Sequence, residues 1–124
     1  MTTVVDTSVL IDHLRGHEPA RQAVRRALPE GLVASEITRL EVLVGMQPRE
    51  EANTRALLAA LAWYPLDERV AEEAGRLGRR WRPSHRGIDS ADLAIAATAA
   101  LLGAALLTRN VRHFPMFQGL AAPY

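Results

Sequence analysis

Thr2–Val5 is a short β-branched run that stops at the polar Asp6–Thr7–Ser8, after which Val9, Leu10 and Leu14 return at helical spacing. The pattern predicts a strand, a sharp turn and a helix. Arg21–Leu28 continues as helix until Pro29 and Gly31 break it. The scheme then repeats. Leu32–Ala34 reads as a strand, Ser35 as an N-cap, and Ile37, Leu40 and Val44 as the inward stripe of a helix that Gly45 and Pro48 end. The segment "REEANTRALLAALAW" predicts an amphipathic helix, and "WYPLD" an extended segment whose proline places it at an edge. Asp67 then caps a helix carrying Val70, Ala74, Leu77 and Trp81 at helical spacing, and "RPSHRG" is a loop. The last helix, "IDSADLAIAATAALLG", closes at Gly103 before "AALLT", whose length and apolarity predict a buried strand. "RNVRHFPMFQGL" reads as loop with at most a short final strand.

Strand and helix patterns alternate, which predicts a three-layer α/β/α sandwich around a mainly parallel sheet. Ligands of such sheets bind outside the carboxyl ends of the strands, where the strand order reverses. Residues that directly follow a strand therefore carry the functional expectation.

Length and composition narrow the class. The 124 residues suit a single domain, 1–124, and 48% hydrophobic against 23% charged residues is a balance that folds. No uninterrupted apolar run reaches the ~18 residues of a membrane span, and the start of the chain lacks a basic segment leading into an apolar one. The expectation is a soluble, cytoplasmic protein that spans no membrane. Cysteine is absent, which removes thiolate metal sites and thiol nucleophiles. All fifteen basic residues are arginine, so a P-loop lysine, a Schiff base and a lysine general base are excluded as well. The arginines read equally as genome composition or as bidentate phosphate recognition.

The acids are the chemical signal. Asp6 follows the first strand, Glu41 interrupts the apolar "LEVLVG", and Asp89 and Asp92 stand one turn apart at the head of an apolar helix. Each is costly to desolvate alone, and together they raise one another's pKa; a divalent cation relieves both effects. Hard oxygen donors suit Mg2+ or Mn2+ better than Zn2+. Carboxylates around such an ion are an arrangement for phosphodiester cleavage. Ordinary roles compete: Asp6 and Asp89 as helix caps, Glu41 in an ion pair with Arg39 or Arg49, Glu36 as a first-turn acid, and Asp12 as helix surface or a complement to the helix dipole.

"VVDTSVLIDHL", "ASEITRLEVLVG", "DLAIAATAALLGAALLTRNVRHF" and the late "GL" together resemble PIN-domain ribonucleases, specifically the VapC toxins of VapBC toxin–antitoxin pairs, over essentially the whole chain. The resemblance implies a PIN-like fold and a Mg2+-dependent endoribonuclease, with Mn2+ as a substitute, that cuts tRNA, rRNA or mRNA. It makes Asp6, Glu41 and Asp92 the acidic site residues, with Asp89 a cap or an outer-shell helper. The fourth position, an aspartate in many members, is Asn110 here; the departure bears on a second metal. It further implies a homodimer and a VapB-type antitoxin partner, with Val9, Leu10, Leu14 and the helix Ala56–Leu61 as contact candidates.

Arg79, Arg80, Arg82 and Arg86, with Arg109 and Arg112, are candidates for a basic rim that meets RNA phosphates, with Arg82, Arg86, Arg109 and Arg112 foremost. His85 and His113 have no metal-like spacing. Trp63, Trp81, Phe114 and Phe117 read as core or interface. The competing reading, raised by Asn110, is a non-catalytic RNA-binding or regulatory PIN-like module; a phosphoryl-transfer domain would want an aspartate at position 8 and a lysine, and the chain has neither.

Overall fold

A computed structural model of the chain describes residues 2–124. Four strands, β1 (Thr3–Val5), β2 (Leu32–Ser35), β3 (Ala62–Tyr64) and β4 (Ala105–Leu107), form one all-parallel sheet in the order β3-β2-β1-β4. Six helices cover it: α1 (Thr7–Leu14), α2 (Glu18–Ala27), α3 (Glu36–Gly45), α4 (Glu51–Ala60), α5 (Glu68–Trp81) and α6 (Ser90–Leu102). This is the three-layer α/β/α architecture that the alternating pattern implies.

Strand alternation divides the core. Val4 points into a cluster with Val70, Leu77, Leu93, Ile95 and Phe114, on the side of α5 and α6. Val5 points the other way, among Val9, Leu10, Val24, Leu57 and Leu58, on the side of α1, α2 and α4. The alanines of α6 let that helix pack closely: Ala94, Ala96, Ala97 and Ala99 are all buried. Gly78 of α5 serves the same approach, since a Cβ there would lie 2.9 Å from Leu93 Cδ1.

The chain adds β2 and β3 on one side of β1 and then returns to add β4 on the other. The order therefore reverses between β1 and β4, and the crevice beyond their carboxyl ends is the fold's natural binding position. Asp6 follows β1 and Thr108 follows β4.

The caps agree with the sequence. Ser35 Oγ accepts from Ile37 N at 3.2 Å, Asp67 Oδ1 from Val70 N at 3.0 Å, and Gly103 closes α6 in the left-handed conformation. Four expectations need correction. The first helix does not run on through Arg21: Gly16 takes φ +83°, breaking the chain before α2 starts at Glu18 with Pro19 in its first turn. In α3 only Ile37 of the expected inward stripe packs on the core; Leu40 and Val44 face outward, 57% and 80% exposed, while Thr38 and Val42 face the protein. Strand β4 lies at the sheet edge and buries only Leu106 fully, because one side of an edge strand meets no neighbour. Finally, Asp12 is neither surface nor first-turn; it is buried in the second half of α1.

Candidate functional site

Asp6 occupies the N-cap position of α1, yet its side chain makes no cap bond to the backbone. Its Oδ2 instead accepts from Ser8 Oγ and from Thr108 Oγ1, each at 2.7 Å. The carboxylate is 3% exposed, and Oδ1 has no hydrogen-bond partner among the described residues. Two hydroxyl donors on one oxygen fix the group's orientation and leave the other oxygen free. Thr108 Oγ1 accepts from Asn110 N at 3.0 Å, and Ser8 Oγ from Arg109 N at 3.4 Å, so the turn after β4 is tied to the turn after β1.

Glu41 reaches the same place from α3. Its Oε1 accepts from Thr7 Oγ1 at 2.7 Å rather than pairing with an arginine. Thr7 Oγ1 also lies 3.0 Å from Thr38 Oγ1, and both threonines are buried. Thr7 has one proton, which the carboxylate attracts more strongly, so Thr38 acts as donor in the threonine pair. Arg39, one expected partner of Glu41, pairs with Glu36 at 2.6 Å, which leaves Glu36 as the first-turn acid the sequence suggests.

Asp89 and Asp92 form a reciprocal capping box. Asp92 N donates to Asp89 Oδ1 at 2.8 Å, and Asp89 N to Asp92 Oδ2 at 3.1 Å. Their environments differ: Asp89 is exposed and Asp92 buried. His113 Nδ1 stands 3.1 Å from Asp92 Oδ2. Burial pushes the Asp92 carboxyl up to about 6, and the charge of Asp89 adds to this; the Asp89 backbone N–H and His113 pull the other way.

The donors suit a hard divalent cation: carboxylate oxygens, one of them an unbonded oxygen on the buried Asp6, and a second carboxylate that burial has made reluctant to ionise. Among the described residues, however, no group of three or more His, Asp or Glu side chains is disposed so that together they could hold a metal ion. Asp6 and Glu41 are linked through the consecutive Asp6–Thr7 pair, whereas the Asp92 carboxylate is engaged by Asp89 and His113.

Arg82 and Arg86 line an open hollow of roughly 540 Å³ with Gly78, Arg79 and Pro83. Gly87, which follows Arg86 in sequence, lies against His113, since a Cβ on it would be 3.6 Å from His113 Nε2. Arg109 faces Asp12, with Nε 3.5 Å from Oδ2, and Arg112 is exposed. Val9 and Leu10 are completely buried and are thereby withdrawn as contact candidates, whereas Leu14 lines a hollow of roughly 340 Å³ with Ile11, Val42 and Met46.

Sequence reasoning passes over Thr38 and Thr108, and weighs Asp12 and His113 without finding their partners. A histidine with no partner at metal-like spacing carries no signal until the sheet brings it beside an acid, and Thr108 reads as part of the strand "AALLT", which ends one residue earlier at Leu107.

A buried aspartate at the reversal point of a four-stranded parallel sheet, with a glutamate tied beside it and an acid-capped apolar helix, is the layout of a PIN domain; the PIN domain profile matches residues 3–117, and the chain belongs to that family. Among its relatives, Ribonuclease VapC19 of Mycobacterium tuberculosis is 46% identical over 123 residues, covering 98% of both chains. Ribonuclease VapC10 of the same organism is 41% identical over 122 residues, covering 98% of this chain and 92% of the relative. A solved toxin–antitoxin complex from Klebsiella pneumoniae contains a chain with 31% identity and a TM-score of 0.85, covering 99% of this chain and 98% of that one. Among the described residues no helix is long and apolar enough to cross a membrane.

Proposed function

We propose that the chain, acting as one PIN unit over residues 1–124, is a VapC-type endoribonuclease toxin of the cytoplasm, dependent on Mg2+ or Mn2+ and silenced by a VapB-type antitoxin. The observation that carries the reading is the Asp6 carboxylate, buried at the reversal point and fixed on one oxygen by two hydroxyls. The identity to two ribonucleases over nearly the full chain supports the reaction class.

Asp6 and Glu41, joined through Thr7, would hold the cation, Asp92 would join them once its carboxylate turns away from Asp89 and His113, and Asn110 and Asp89 would lie farther out. A bound cation would offset the carboxylate charges and would supply water activated for attack on a phosphodiester. Asp6 presents its free Oδ1 from a rigid cradle, and Glu41, held through Oε1, keeps Oε2 for the ion or for orienting the water. Asn110, placed by its backbone bond to Thr108, adds a polar carbonyl without charge. The arginine hollow receives the RNA backbone on the Asp92 side. No protein nucleophile is required.

The hollow lined by Ile11, Leu14, Val42 and Met46 is the apolar surface offered to the antitoxin. The outward Leu40 and Val44 form the face that a second copy covers in a homodimer.

The test is cleavage of total RNA by purified protein with Mg2+ or Mn2+, repeated with EDTA and with Asp6→Asn. Cleavage lost in both controls supports the reading; cleavage that survives both overturns it. The second reading, a non-catalytic RNA-binding PIN module, is favoured by Asn110 in place of an acid. RNA binding by wild type with no cleavage under any metal would establish that module instead.

A further inference from the structure

Asp12 is a buried carboxylate for which the cleavage reaction has no use. It lies six residues beyond Asp6, about 240° around the axis of α1, and so on another face. Its Oδ2 accepts from Tyr124 Oη at 2.6 Å and faces Arg109 Nε at 3.5 Å. The Tyr124 ring is itself fixed, edge-on to His17 with ring centres 5.2 Å apart and packed on the Val5–Val9–Leu10 cluster. Burial, the bond to Asp12 and the charge of Asp12 raise the Tyr124 hydroxyl far above its ordinary range, so it stays a donor. An anchored phenol thus aims a buried carboxylate, and the carboxylate faces one arginine.

That arginine occupies a significant position. Arg109 sits between Thr108, which donates to Asp6, and Asn110, and its backbone N donates to Ser8 Oγ, which also donates to Asp6. Its side chain is about half exposed and pairs by charge with Asp12, Nε lying 3.5 Å from Oδ2, and among the described residues no nitrogen of the guanidinium donates a hydrogen bond. A guanidinium drawn toward a fixed carboxylate keeps donors that match two phosphate oxygens, with less freedom left to lose on binding.

We propose that Asp12 and Tyr124 are positioning residues that hold Arg109 as a clamp for an RNA backbone phosphate beside the Asp6 site. The proposal rests on the ribonuclease reading for its substrate. It accounts for three features at once: an acid buried away from the catalytic group, a tyrosine tethered to it, and an arginine whose outer edge is left unpaired.

The experiment measures cleavage of a short RNA across salt concentrations for wild type, Arg109→Gln, Tyr124→Phe, Asp12→Asn and the Arg109→Gln/Tyr124→Phe double variant. Binding of the same RNA, fluorescently labelled, to metal-free protein is followed in parallel. Arg109→Gln is expected to raise KM about fivefold, more than it lowers kcat, and to reduce the salt slope by about one. Tyr124→Phe, which removes only the hydroxyl, is expected to raise KM about threefold in wild type and to add nothing once Arg109 is gone. Asp12→Asn follows Tyr124→Phe if it folds, as judged by its melting curve. An unchanged KM in Tyr124→Phe, or an equal further rise in the double variant, overturns the clamp. If wild type binds RNA but cuts none, the ribonuclease reading fails, and the binding series still decides the clamp by the same comparison.

Discussion

Thr7 Oγ1 stands 2.7 Å from Glu41 Oε1, joining the first residue of α1 to the middle of α3 across 34 positions of sequence. The bond lets a half-exposed glutamate keep one orientation without an arginine. Hydrogen bonds to charged groups contribute about 1.5–3 kcal/mol, so Thr7→Val is expected to lower kcat about ten- to a hundredfold. Thr7→Ser, which keeps the hydroxyl, should restore most of the rate. Steady-state cleavage kinetics on the three proteins check this, and equal losses in Val and Ser variants would show that the methyl packing matters rather than the bond.

How far the sequence reveals the site depends on how local each signal is. Asp6, Ser35, Asp67, Asp89 and Gly103 sit at element boundaries, where a turn or cap reads directly from neighbouring residues. The face of α3 does not. Two stripes compete there, Ile37–Leu40–Val44 and Thr38–Val42, and apolarity favours the first. The fold buries the second and keeps only Ile37 of the first, because Thr38 must reach Thr7 to complete the support of Glu41. A helix whose inward face carries a working polar residue misleads a reading based on hydrophobicity alone. Asp12 fails for a different reason, since its partners Tyr124 and Arg109 are about a hundred positions away.

Asp92 yields a prediction for the metal-free protein. Its carboxyl ionises near 6 when folded, against an ordinary value of 3.8. The folded state therefore holds its proton more tightly; the associated stability is complete below 3.8 and is lost as pH rises through about 6. Above that pH the ionised group burdens the fold, and Asp92→Asn removes the burden. In EDTA the variant should melt higher than wild type at neutral pH, with the advantage fading toward acid, while RNA cleavage is lost. A lower melting temperature at neutral pH would show that the Asp89–Asp92 box depends on the charge.

His13 predicts acid sensitivity. Burial lowers its pKa below 6.5, the charges of Arg21 and Arg25 lower it further, and Glu18 opposes them. Its Nδ1 is buried without a hydrogen-bond partner among the described residues. Below 6.5 the unfolded chain takes up a proton that the folded one resists, so stability present above that pH falls as acidity increases toward the folded pKa. Comparing melting temperatures at about pH 7.5 and about pH 5, His13→Leu should lose less than wild type. Equal losses would assign the acid sensitivity to other groups.

Leu40 and Val44 stand one turn apart on α3, 57% and 80% exposed, where water gains nothing from an apolar stripe. In the proposed homodimer this stripe is covered by the second copy. Replacing both with glutamate places four like charges in the interface if the stripes of the two copies meet, a repulsion that association cannot relieve. In a separate monomer the same substitutions touch little, and surface changes of this kind shift stability by only about 0.5 kcal/mol. Light scattering at micromolar concentration should therefore show a dimer for wild type and a monomer of nearly unchanged melting temperature for Leu40→Glu/Val44→Glu. A wild-type monomer would remove the dimer from the proposal, and a variant that stays dimeric would place the interface on another face.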